Sequence, residues 1–170
     1  MAQHYYKYLN KNMKNIILSI VQLCLLFFST CLYAQKDVPF GINLAGAEFF
    51  HKKMEGVGSF GKDYFYPTIN DLDYWKSKGL KLIRLPFKWE RLQRELLGPL
   101  NVEEIEYICF LLEEADKRDM KILLDMHNYG RRSDNGVNRI IGDSCLPASA
   151  FAEAWKMIAE KVGGYHSLYG

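Results

Sequence analysis

Between residues 40 and 162, short apolar runs alternate with longer stretches in which apolar positions recur every three or four residues. The first run, Phe40–Ala45, leads through a long loop holding Gly56, Gly58 and Gly61 to a predicted helix over residues 68–78. Ile69, Leu72 and Trp75 share one face of that helix, Thr68 with Asp71 forms a capping-box pattern, and Gly79 stops it. The second run is Leu80–Leu85, and its helix opens at Asn101 with Glu104 at the reciprocal capping position. Ile105, Ile108, Leu112 and Ala115 make the apolar stripe of that helix. The third run, Lys121–Met126, precedes a helix that starts near residues 147–149 and buries Phe151, Trp155, Ile158 and Val162 before Gly163 and Gly164 close it. Strands recurring about every 40 residues with helices between them predict parallel strands joined by crossover helices.

Loops after the strands are long and loops after the helices are short, which is the habit of a β/α barrel elaborated on its C-terminal face. The fold class expected is α/β, a (β/α)8 TIM barrel of which this chain holds the first three units, truncated where a fourth strand should begin. Three parallel strands leave an unpaired edge and half a core uncovered, so poor independent stability is expected.

Ahead of the first strand, Ile16–Tyr33 is nearly all apolar, with Lys11 and Lys14 before it and Ala34-Gln35 after it. This is the layout of a secretory signal over residues 1–34 cleaved after Ala34, with Met13 as the natural start. An uncleaved membrane anchor is the alternative, and a lipid anchor at Cys31 fits poorly. The expected localisation is therefore secreted, periplasmic or cell-surface, without stable membrane association after cleavage. Loss of residues 1–34 removes Lys7, Lys11 and Lys14 and no acid, turning the net charge from +2 to −1. That balance excludes a nucleic-acid partner, which needs a clustered basic surface. Cys24 and Cys31 leave with the signal, and nothing brings Cys109 and Cys145 together, so both are read as free thiols.

The candidate chemistry gathers where the strands end. Lys121–Met126 runs straight into His127, Asn128 and Tyr129, polar groups delivered at the C-terminal end of a buried strand. Arg84 lies inside an apolar strand on the side of Leu82, and Asp125 lies on the side of Leu123 and His127. A buried guanidinium needs a carboxylate, so Arg84 and Asp125 are expected to pair in the barrel interior. His127 has no second His or Cys at ligand spacing, so neither a metal nor another cofactor is expected. Phe49, Phe50, Tyr64, Tyr66, Trp89 and Tyr129 fall in the loops after the strands, and rings there suit the apolar faces of sugars, though packing explains scattered aromatics equally well. Glu48 and Glu90 could accept hydroxyl hydrogens; taken singly, each reads as a solvated loop carboxylate.

The motifs Gly41-Ile42-Asn43-Leu44-Ala45-Gly46-Ala47-Glu48-Phe49, Ile83-Arg84-Leu85-Pro86-Phe87, Trp89-Glu90-Arg91-Leu92-Gln93, Asp125-Met126-His127-Asn128-Tyr129 and Ile140-Ile141-Gly142, in this order, resemble the N-terminal part of glycoside hydrolase family 5 endoglucanases. The resemblance implies an eight-fold β/α barrel that hydrolyses β-1,4-glucan with retention, monomeric at full length. It implies supporting catalytic roles for Arg84, His127 and Asn128, and substrate contacts by Glu48, Trp89 and Tyr129. The family's two catalytic glutamates have no counterpart here, and Asp125 is committed to Arg84. The chain alone is therefore expected to be inactive, with β-glucan as the ligand of the full-length parent. The alternatives are a β-mannanase or xyloglucanase of the same fold, or a non-catalytic carbohydrate-binding fragment.

Overall fold

Three parallel strands, β1 (Gly41–Asn43), β2 (Leu82–Phe87) and β3 (Lys121–Met126), lie in the order β1-β2-β3. The computed structural model describes residues 13–14, 16–23, 40–50, 56–134 and 136–170. It divides into two units, Met1–Val38 and Pro39–Gly170. In the first, residues 13–14 and 16–23 are helical and exposed, and among the described residues no helix is long and apolar enough to cross a membrane. The expected cleavage point after Ala34, with Cys24 and Cys31, lies outside the described residues.

In the second unit each strand is followed by a helix. These are α1 (Ile69–Ser77), the short α2 (Trp89–Leu92) with α3 (Val102–Asp116), and α4 (Ala148–Val162). Period-two alternation sorts the sheet's side chains. Ile83, Leu85, Ile122 and Leu124 are buried against Leu72 of α1, Ile105, Ile108, Leu111, Leu112 and Ala115 of α3, and Ile158 and Val162 of α4. The other face, with Arg84 and Asp125, stays open. Past β3, the N–H of Ile122 donates to Ser167, that of Leu124 to Gly170, and that of Tyr169 to Ile122, so residues 167–170 run parallel along the edge opposite β2.

The capping box at Thr68 and Asp71 is present. Strand β2 begins two residues later than expected, because the N–H groups of Lys78, Gly79 and Leu80 close α1 onto Trp75 and Lys76, with Gly79 at φ 80°. Asn101 caps α3 through Glu104 N–H at 3.0 Å. The reciprocal half of that box is absent, since Glu104 is drawn inward by two tyrosines. The buried stripe of α4 is Ala150, Ala154, Ile158 and Val162, as expected at Ile158 and Val162, with Ala150 and Ala154 taking the places expected of Phe151 and Trp155 one position further on. Phe151 and Trp155 flank it half-buried, edge-on to Trp89 and Phe87. Cys109 and Cys145 are free thiols.

Two elements were not expected. One is α2, and the other is a hairpin of β4 (Arg131–Asp134) and β5 (Val137–Ile140) in the loop after β3. Both sit at the end of the sheet where the strands deliver their polar residues.

Candidate functional site

Arg84 and Asp125 are brought together as the strand pattern predicts. One Nη2 hydrogen of Arg84 goes to Oδ2 of Asp125, and Nη1 donates to Oδ1 of Asn43 at 2.5 Å. The pair is not buried as expected, for the two side chains keep 36% and 28% of their surface on the open face. Solvent therefore shares the desolvation cost that a closed barrel interior would impose. Nδ1 of His127 stands 2.8 Å from Arg84 Nη2 and 2.9 Å from Asp125 Oδ2. It accepts from the first or donates to the second according to tautomer. In either case its other ring nitrogen has no hydrogen-bond partner among the described residues, on a ring that is partly exposed.

Around His127 the backbone is held closely. Its N–H donates to the carbonyl of Phe87 at 2.9 Å, and its own carbonyl accepts from Lys88 Nζ at 2.7 Å. Burial lowers the Lys88 ammonium from its ordinary value, against the opposing carboxylates of Glu90, Glu48 and Asp125. Lys88 also lies over the ring of Tyr129, 5.7 Å from its centroid, while His127 meets that ring edge-on at 4.5 Å. Tyr129 is 80% exposed and sits at φ 53°, so a strained backbone holds a bare ring beside the histidine.

Asn128 behaves differently from the expectation of a ligand-lining group. It is 8% exposed, its Oδ1 accepts from Trp89 N–H at 2.9 Å, and its Nδ2 donates to Glu90 at 2.8 Å. Both ends of the amide are engaged, so it braces the strand ends. Glu90 in turn is no solvated loop carboxylate, because its second oxygen accepts from Ser133 N–H at 2.6 Å and ties the hairpin down. Trp89, read as a sugar platform, is fully buried between Phe151 and Arg132, with its indole N–H on Gln93. No face of its ring is left for a ligand. Tyr64 and Tyr66 are likewise core, both donating to the buried carboxylate of Glu104. Burial first, and Glu104 next, push both phenols well above their ordinary value. Glu48 is half-buried and accepts from the N–H of Gly46 at 2.7 Å; Phe49 and Phe50 beside it are exposed.

Sequence reasoning passed over Asn43, Lys88, Arg91 and Arg132. Asn43 was within reach, since adjacency of β1 and β2 places it opposite Arg84 in register. Arg132 is fully buried, donating to Asp134 and to the carbonyls of Gln93 and Arg94, and carried no sequence signal because the hairpin itself was unseen.

A guanidinium, a carboxylate and an imidazole joined at strand ends, with one bare tyrosine ring alongside, have the chemistry to hydrogen-bond and stack on a hydroxyl-rich ligand. The profile of Cellulase (glycosyl hydrolase family 5) matches residues 36–169. The chain belongs to this family. Among curated relatives, endo-beta-1,4-glucanase B of Emericella nidulans is 30% identical over 120 residues, which make up 71% of this chain and 34% of that protein. An endoglucanase of Paenibacillus polymyxa is 26% identical over 149 residues, covering 79% of this chain and 34% of its own length. Pseudomonas stutzeri endoglucanase Cel5A, solved in complex with cellobiose, superposes with a TM-score of 0.67 at 37% identity, over 76% of this chain and 38% of that one. XacCel5A in complex with cellopentaose gives 0.67 at 39% identity, over 75% and 39%. The chain thus spans about a third of the length of the curated relatives it matches.

Proposed function

We propose that the protein carrying this chain is a secreted endoglucanase that hydrolyses β-1,4-glucosidic bonds of cellulose or a related β-glucan with retention of configuration. The observation that carries this reading is the joined Arg84–Asp125–His127 group at the strand ends. Support comes from relatives named endo-β-1,4-glucanases and from neighbours solved with cellobiose and cellopentaose. In this reading residues 39–170 supply the first three units of an eight-fold barrel. His127 meets the sugar at the cleaved bond, Tyr129 stacks on a ring beside it, Glu48 accepts a hydroxyl hydrogen, and Arg84 orients the carboxylate of the nucleophile. Asn128 and Trp89 act through the backbone they brace.

Retention needs two carboxyl groups about 5–5.5 Å apart, one nucleophile and one acid/base. The carboxylates at this site are already engaged, Asp125 by Arg84, Glu90 by Asn128 and Ser133, and Glu48 by Gly46. In this reading the catalytic pair comes from beyond these residues, and the chain alone does not cleave glucan.

Reducing-end release from soluble carboxymethylcellulose, mannan and xyloglucan tests the reading. The protein carrying the chain is expected to act on the first, with the β-anomer formed initially by proton NMR, and the isolated chain on none. Preference for mannan or xyloglucan would replace the substrate, and cleavage by the isolated chain would overturn the division of labour. N-terminal sequencing of the exported protein is expected to begin at Gln35.

A further inference from the structure

Two neighbouring residues of α2 end on different loops. Glu90 reaches Asn128 and the β4–β5 hairpin. Arg91 reaches back to the loop after β1, where its Nη1 donates to the carbonyl of Ala47, its Nη2 to that of Phe49 and its Nε to that of Val57 at 2.8 Å. Residues 44–50 and 56–59 form neither helix nor strand, so these carbonyls have no ladder to join, and the guanidinium takes the place of one.

The geometry is specific to arginine. A planar fork with donors on three nitrogens spans carbonyls that a single ammonium cannot reach together. Arg91 is 1% exposed, and its charge is offset by the face of Tyr64, 3.8 Å away, behind which Glu104 holds Tyr64 and Tyr66. Burial is the main influence lowering the guanidinium from its ordinary value, and Tyr64 and Glu104 act the other way. Between the tethered carbonyls stand Glu48 and, exposed at 53% and 66%, Phe49 and Phe50. Gly46 pins the start of the same segment, since its carbonyl accepts from Phe49 and Phe65 N–H, both at 3.3 Å.

We infer that Arg91 is a positioning residue that fixes residues 46–50 in one conformation, so that Glu48, Phe49 and Phe50 are held ready for a sugar chain lying alongside His127. It touches no substrate itself. For its ligand the inference rests on the glucanase reading above, whereas the brace stands on the contacts alone.

Arg91→Gln and Arg91→Lys, made in the intact protein, test both parts. Chymotryptic cleavage after Phe49 and Phe50 is expected to be at least about tenfold faster in Arg91→Gln, and less so in Arg91→Lys, with other sites cut at the wild-type rate. On cellopentaose, KM is expected to rise about tenfold while kcat stays within about twofold. Unchanged cleavage at Phe49 and Phe50, or a fall in kcat at constant KM, would overturn the proposal. Should Arg91→Gln be cut everywhere, and so be unfolded, Arg91→Lys decides by the same two readouts. Absence of glucan hydrolysis in the wild type would remove the substrate reading and leave the brace to be judged by proteolysis.

Discussion

Arg84 and Asp125 meet diagonally across β2 and β3, Arg84 being in register with Leu123 and Asp125 with Pro86. Same-face neighbours two residues apart are within reach of a long side chain, and only arginine among the residues of β2 has that length together with charge. The contact places the imidazole of His127 as well, so one ion pair sets three groups.

Because both side chains remain partly exposed, breaking the pair is expected to cost little stability. Arg84→Ala should lower it by about 1 kcal/mol, the scale of solvent-exposed ion pairs, and not by the larger penalty of a buried unpaired charge. Activity should suffer far more, since His127 and its partners lose their anchor. Thermal unfolding and kcat/KM on soluble glucan, measured on the protein carrying the chain, separate the two effects.

His127→Ala is expected to reduce turnover on soluble β-glucan by about tenfold or more, the scale for losing one preorganised polar contact in a transition state. Folding should be unaffected, as the ring is half-exposed. Unchanged kinetics would remove His127 from the site.

Glu104 is the opposite case, buried and holding two phenols. Glu104→Gln is expected to destabilise by about 2–4 kcal/mol, because the network loses its charge beside Arg91 and strands a donor. Urea unfolding checks this, and a double-mutant cycle with Tyr66→Phe should show strong non-additivity.

The cluster of exposed Asp73 with the largely buried Glu114 and Arg118 joins α1 to the end of α3. Its hydrogen bonds lower Asp73 from 3.8, chiefly through Arg118, and Glu114 from 4.5, first through Lys117 and then Arg118. A carboxylate depressed in the folded state contributes stability above its unfolded value and loses it as pH falls through the folded one. Melting temperature should therefore drop as pH falls from 4.5 through 3.8 and below, and Arg118→Ala should flatten that drop.

Gly46→Ala should be poorly tolerated, because the added Cβ would stand 2.6 Å from the carbonyl oxygen of Phe65. A loss of about 2 kcal/mol is expected for such a backbone clash, read by thermal unfolding.

By itself the sequence determined the alternation of strand and helix, the limits of β3, the caps at Thr68 and Asn101, and the facing sides of Arg84 and Asp125, because these follow from local periodicity and short-range hydrogen bonding. Tertiary structure alone decided which aromatic rings are exposed. Tyr64 and Tyr66 sit in a loop and Trp89 in a four-residue helix, neither of which carries a periodic signal, and it is Arg132, Phe151 and Glu104, distant along the chain, that bury them. The same holds for Asn128 and Glu90, whose polar atoms would serve a ligand or a scaffold equally well. Their partners come from a four-residue helix and a hairpin too short and too polar to leave a periodic signal, so their roles were fixed only when separate loops came within hydrogen-bond distance.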